Sequence, residues 1–149
     1  MAPSKKKRPA PTRADVPKKK RTVAKKRPVR SAATPLDRVR EICLALPEAQ
    51  EVEAWGAPTF RVNNKIFAMY SANSHHSAGR VALWMMSVSV EQDFVVRARP
   101  DCYFKPPYVG PSGWIGAWLD QRPRWEEIAE LIRDAYRRRA PKKLAALVD

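Results

Sequence analysis

The sequence predicts an α+β domain built on an antiparallel sheet, preceded by a basic arm that stands outside the fold. Three observations carry this reading. All 13 aromatic residues lie at or after Trp55, so the packing material belongs to the later part of the chain. Helical and extended patterns then alternate in the order α-β-β-β-α-β-β-α-α, which suits helices set against a mostly antiparallel sheet. The charge divides at the same place. Residues 1 to 35 hold 13 of the 29 Lys and Arg and a single acid, Asp15, a charge of +12 out of the total +14.

The arm comes first in the chain. It has no aromatic residue and contains six of the 14 prolines within the first 35 positions, so it cannot bury enough apolar surface to offset its ordering entropy. Residues 1–33 are therefore expected to be disordered, and residues 34–149 to form one domain with a single core. The cations fall in clusters: Lys5, Lys6, Lys7 and Arg8, then Lys18, Lys19, Lys20 and Arg21, then Lys25, Lys26 and Arg27. A flexible polycation of this kind grips phosphate backbone through counterion release and reads no sequence. These residues are the candidate nucleic-acid contacts, to DNA or to RNA. The same segment also reads as an address, and "PKKKR" would serve nuclear import in a eukaryote.

The first domain element is "TPLDRVREICLALPE" (34–48), a helix with Thr34 as N-cap, Pro35 at its first position, Asp37 completing a capping box and Pro47 as terminator. Cys43 falls on the apolar stripe with Leu36, Val39 and Leu46, so it reads as a small core residue. "EVEAWGAPTFRV" and "KIFAMY" follow as two strands joined at Asn63-Asn64, a pair that tolerates the positive φ of a tight hairpin. "GRVALWMMSV" (79–88) completes a three-stranded meander after a polar loop. "SVEQDFVVRARP" (89–100) predicts a second helix, with Ser89 and Gln92 as capping box and Val90, Phe94 and Val95 on one face. "DCYFK" and "GWIGAWLD" are the last two strands, separated by the stiff turn "PPYVGPS". "PRWEEIAELIRDAYRRR" (123–139) is an amphipathic helix with Ile128, Leu131, Ile132, Ala135 and Tyr136 on its stripe. A short helix in "PKKLAALVD" ends the chain.

Little in this sequence converges on catalysis. There is no Gly-rich phosphate loop, no GxSxG, no HExxH, and no Cys and His in a nucleophile context. Asp93, Asp101 and Asp120 are isolated acids, and Asp120 is expected to help begin the helix at Pro123. Cys43 and Cys102 lack metal-ligand or disulfide spacing, which points to a reduced, intracellular protein. His75 and His76 are adjacent but have no third ligand at a familiar spacing, so no metal and no cofactor is expected. No stretch approaches the roughly 18 apolar residues of a membrane span, and the start of the chain lacks the apolar segment of a signal peptide. Arg133, Arg137, Arg138 and Arg139, with Lys142 and Lys143, read either as a nucleic-acid face or as charges that complement the helix dipole against Glu126, Glu127 and Glu130.

Three blocks carry a resemblance: "WGAPTFRVNNKIFAMY", "YFKPPYVGPSGWIGAWLD" and "WEEIAELIRDAYRRRAPKKL". Trp55-Gly56, Pro58, Phe60, Lys65 and Phe67 in the first, Pro107-Tyr108-Val109-Gly110 and Gly113-Trp114 in the second, and Tyr136 in the third resemble the MmcQ/YjbR family. The resemblance covers roughly residues 36 to 145, the domain without the arm. It implies an α+β fold similar to type III secretion chaperones, and a family commonly labelled DNA-binding. Many relatives carry His where this chain has Ala57 and again where it has Pro111.

Read from the residues alone, Pro107, Gly110 and Gly113 constrain a turn that places Tyr108, Trp114 and Trp118 near Lys65 and Lys105. Such an aromatic and cationic face is what unpaired bases stack upon. Aromatic residues on a sheet are equally core material, and both readings stand for Tyr108, Trp114 and Trp118. The expectation is a non-enzymatic DNA-binding protein, cytoplasmic and nucleoid-associated, or nuclear in a eukaryote. The arm would grip phosphate and the domain would give orientation or preference. The alternative is a protein- or ligand-binding module with its pocket near Tyr108 and Trp114 and the arm as localisation signal.

Overall fold

Pro35 presets a helical φ, and α1 (Pro35–Leu44) runs from it with Val39 and Cys43 fully buried one turn apart. This computed structural model describes residues 34–72 and 80–148 of the chain. The expectations for the arm and for His75 and His76 lie outside the described residues.

After α1 the chain enters a run of hairpins. β1 (Gln50–Ala54) pairs with β2 (Ala57–Val62), and β2 with β3 (Lys65–Ser71). Both turns have two residues at positive φ: Trp55 at 54° and Gly56 at 76°, then Asn63 at 52° and Asn64 at 62°. That is the turn whose twist matches antiparallel strands. The Asn-Asn turn is where the sequence placed it. The first turn is an addition, because residues 51–62 read as one extended run and fold into two strands. Trp55 hides the turn, since its first central position normally belongs to Asn, Asp or Gly.

β4 (Ala82–Met85), α2 (Ser89–Ala98), β5 (Tyr103–Phe104), a single 3-10 turn (Gly110–Ser112), β6 (Ile115–Trp118), α3 (Trp125–Arg139) and α4 (Lys142–Ala145) complete the chain. The six strands form one antiparallel sheet in the order β1-β2-β3-β4-β6-β5. The expected α+β class and antiparallel sheet are what is observed, with one strand more.

The sheet is buried on two faces. In β4 all four residues are buried, and alternation sends Leu83 and Met85 into the main core and Ala82 and Trp84 into a second cluster on the other side. Ile128, Ile132, Ala135 and Tyr136 of α3 and Val39 and Cys43 of α1 close the main core. The ring of Phe67 meets that of Tyr136 edge-on, 5.6 Å between centroids. The Tyr136 hydroxyl donates to the Pro47 carbonyl at 2.6 Å, tying α3 to the end of α1 across 89 residues. Trp114 joins Trp84 and Ala82 in the second cluster, with Ile66, Met69, Phe104 and Trp118 packed against them. A bulge makes this possible: Phe60 faces Ala68 while Arg61 faces Ile66, so Phe67 is the extra residue. Phe67 and Ala68 therefore both enter the main core, and Ile66 and Met69 both reach the second cluster.

Two glycines are required by close approach. A Cβ on Gly113, which sits at φ 101°, would lie 2.6 Å from the backbone of Val88 and Ser89. On Gly116 it would enter the ring of Phe104, which lies across that residue and stacks on Trp118 at 4.0 Å.

Three local expectations need correction. Ser89 and Gln92 do not form a capping box: Val88 holds the N-cap position of α2 without a side-chain bond. The buried Gln92 amide instead donates to the carbonyls of Gly110 and Trp114, at 2.8 and 2.6 Å. It satisfies a loop rather than its own helix. Val90 and Phe94 are consequently turned outward, 81% and 70% exposed. Asp120 does not begin α3, whose N-cap is Arg124, but receives a two-pronged bond from Arg80 at 2.8 and 2.9 Å. That bond holds its carboxyl below the ordinary range.

Candidate cationic aromatic pocket

The bulge that sends Ile66 and Met69 to the second face also shapes a cavity there. It has a volume of about 780 Å³, and its walls include Ile66, Met69, Trp84, Trp114 and Val109. This is within the ordinary range for small-ligand sites. Trp84 is 6% exposed, and its indole N–H finds no acceptor among the described residues. A buried donor left in this way costs free energy.

Three cations line the cavity: Arg61, Lys65 and Arg139. Arg61 is aimed by a bond from its Nε to the Thr59 hydroxyl, 3.1 Å, and Arg139 by a bond from its Nε to the Ile66 carbonyl, 3.1 Å. None of the three forms an ion pair with a described carboxylate, and no carboxylate is among the described lining residues. Elsewhere the described guanidinium groups of Arg40, Arg80, Arg97, Arg99, Arg133 and Arg138 all have acidic partners. Positive charge is thus left uncompensated at the cavity. Tyr70 adds a wall, and burial raises its phenol above the ordinary value, so the group is neutral.

Two more aromatic residues stand at the cavity, and both are held in backbone that large side chains avoid. Trp55 is 79% exposed at φ 54° in the β1–β2 turn. Tyr108 is 74% exposed at φ 67°. The Val109 N–H donates to the Pro107 carbonyl at 2.7 Å, which makes Tyr108 the centre of a γ-turn in its strained, positive-φ form. Strain of this kind costs on the order of 1–3 kcal/mol per residue and gathers at binding sites.

Of the five domain residues expected from sequence, Lys65, Tyr108 and Trp114 line this cavity. Trp114 does so as core, 5% exposed. Trp118 lies outside it: its ring stacks on Phe104 and carries the Arg80 guanidinium 3.9 Å from its centroid. Lys105 is also elsewhere, 3.8 Å from Asp93 in a shallower groove beside α2. Arg61, Trp84 and the role of Trp55 are not anticipated, and Arg139 is anticipated only as one of six cations that read either as a nucleic-acid face or as complements to the helix dipole. A Trp placed before Gly in an alternating run was the only available signal, because Arg139 reads like its dipole-compensating neighbours until α3 is docked.

Cys43 is wholly buried, and desolvation raises its thiol, so it offers no thiolate near neutral pH. Among the described residues no group of three or more His, Cys, Asp or Glu is placed to hold a metal ion. No described helix is long and apolar enough to cross a membrane.

A one-sheet α+β domain with a hollowed, cationic second face is the class that this architecture defines. The YjbR family model matches residues 44–138, and the chain belongs to that family. Its fold is similar to that of the Deinococcus radiodurans protein DR2400, described by the domain name DUF419, with a TM-score of 0.59 and 19% identity over 70% of this chain and 79% of that one. A search of curated proteins finds no match.

Proposed function

We propose that this protein is a non-enzymatic nucleic-acid-binding protein, in which the basic N-terminal residues supply sequence-independent attraction and the domain pocket supplies a contact of its own. The observation that carries this reading is the pocket's uncompensated charge. Arg61, Lys65 and Arg139 face a cavity with aromatic walls and have no described acid to neutralise them. Anionic ligands with flat apolar parts fit such a lining, and nucleic acid joins both properties in each repeating unit. The +12 charge of residues 1–35 supports the same partner, because Lys and Arg clusters bind phosphate whatever the sequence.

The test is fluorescence anisotropy of labelled DNA against the full chain, in duplex and single-stranded form, from 50 to 200 mM salt. Binding at low salt with a steep salt dependence is expected. Absence of binding to both forms at 50 mM salt would end the proposal. In that case the remaining reading is a pocket for a small anion, with the basic residues serving another purpose.

A further inference from the structure

Resting on the nucleic-acid reading but narrowing it, we infer that the pocket receives one unpaired nucleotide, its base held at Trp55 and Tyr108 and its phosphate at Arg61, Lys65 and Arg139. Shape is the first argument. A duplex presents stacked bases whose faces are covered, whereas a concave cavity with aromatic walls can take a base only after it has left the stack.

The second argument is the placing of the two exposed rings. Trp55 and Tyr108 come from turns more than fifty positions apart, yet both border the same cavity. Each is carried at positive φ, where Asn or Gly would be less strained, and each leaves about three quarters of its surface in solvent. A core role explains neither feature. Two exposed rings at the mouth of a pocket are suited to stacking on a planar guest, and each stacked base–aromatic contact changes affinity by roughly 5- to 150-fold.

The third argument is the division of the lining. Guanidinium groups held by Thr59 and by the Ile66 carbonyl keep N–H donors available for an anion. A sugar-phosphate with an attached base meets cations and rings together. Inorganic phosphate satisfies the cations alone.

The experiment uses the full chain and four probes: adenosine 5′-monophosphate, adenosine, inorganic phosphate and a twelve-residue oligothymidylate, each titrated by calorimetry. The variants are Trp55→Ala, Tyr108→Ala and the conservative Trp55→Tyr, with thermal midpoints recorded beside them. The inference expects saturable binding of the monophosphate, at least tenfold weaker binding of adenosine and of phosphate, and a loss of about 5- to 150-fold in each alanine variant. Trp55→Tyr should recover most of the loss. Both exposed positions tolerate truncation, so the midpoints should hardly move.

Equal binding of phosphate and monophosphate would overturn the inference, because the site would then be an anion site with no place for a base. So would oligothymidylate affinity within twofold of the parent in both alanine variants, even with duplex binding intact. Binding of the monophosphate but of no polynucleotide would sink the functional reading instead and leave the pocket assignment standing.

Discussion

Replacing Arg61, Lys65 and Arg139 together by Gln removes the pocket's charge while keeping side-chain length, and the size of the effect follows from counterion release. On single-stranded DNA each neutralised phosphate contributes about −0.7 to the slope of log affinity against log salt. The three cations share the one phosphate of the inserted nucleotide, so the triple variant should show a slope shallower by about 0.7. Salt rises fourfold between 50 and 200 mM, so the parent should lose on the order of threefold more affinity over that range than the variant. The assay is anisotropy of a labelled oligothymidylate at five salt concentrations, with the full chain in both cases. Because residues 1–35 are unchanged, their contribution to the slope cancels in the difference. A slope equal to the parent's within about 0.2 would refute the reasoning, since it would mean that no phosphate reaches the pocket.

Other outcomes test the fold that builds the site. Gly113→Ala combines a positive φ with a Cβ 2.6 Å from the Val88 and Ser89 backbone, and should cost about 3 kcal/mol, lowering the melting temperature on the order of 10 °C. A midpoint within 2 °C of the parent, on a scale of about 4 °C per kcal/mol, would contradict that packing. Tyr136→Phe removes the bond to the Pro47 carbonyl and should destabilise by about 1–2 kcal/mol in urea unfolding, with an unchanged dependence on denaturant. An equally stable variant would show that the bond is not made. Ellman's reagent should find no more than one reactive thiol in the native protein, Cys102, and two after denaturation, because Cys43 is wholly buried and its thiol is raised by desolvation. Two fast-reacting thiols in the native state would contradict the docking of α1.

Helix periods and one hairpin were plain in the sequence because each is a local signal. The α3 stripe from Ile128 to Tyr136 and the Asn63-Asn64 turn depend on nearest neighbours along the chain, and both form as read. Features set by contacts far apart in sequence were not legible. Gln92 has the spacing of a capping box, but its amide meets the carbonyls of Gly110 and Trp114, and a spacing rule does not contain that loop. Phe94 looks like core from its residue type, and turns outward because Gln92, on another side of α2, is the residue drawn inward. Half of the pocket could be anticipated, since Lys65, Tyr108 and Trp114 are conspicuous residue types beside turns. Arg61 could not be, and Arg139 only as one of the cations ending α3, because what distinguishes them from the other arginines is that strand pairing and the docking of α3 set them at the cavity, a property of the folded surface.

The order in which the pocket's parts leave the ribosome is fixed by the topology. Trp55, Arg61, Lys65 and Met69 belong to the hairpins at the start of the domain, while Arg139 is the last residue of α3. The roughly 70 residues between Met69 and Arg139 take about 4–14 s to synthesise at 5–20 residues per second. During that interval β1 to β3 can pair through their two-residue turns, but the residues of α3 that cover Phe67 have not yet been made. The nascent hairpins expose apolar surface in that window, and contact with a holding chaperone is favoured there. A competent pocket is then among the last products of folding, and a nascent chain that ends before α3 presents the rings without their full set of cations.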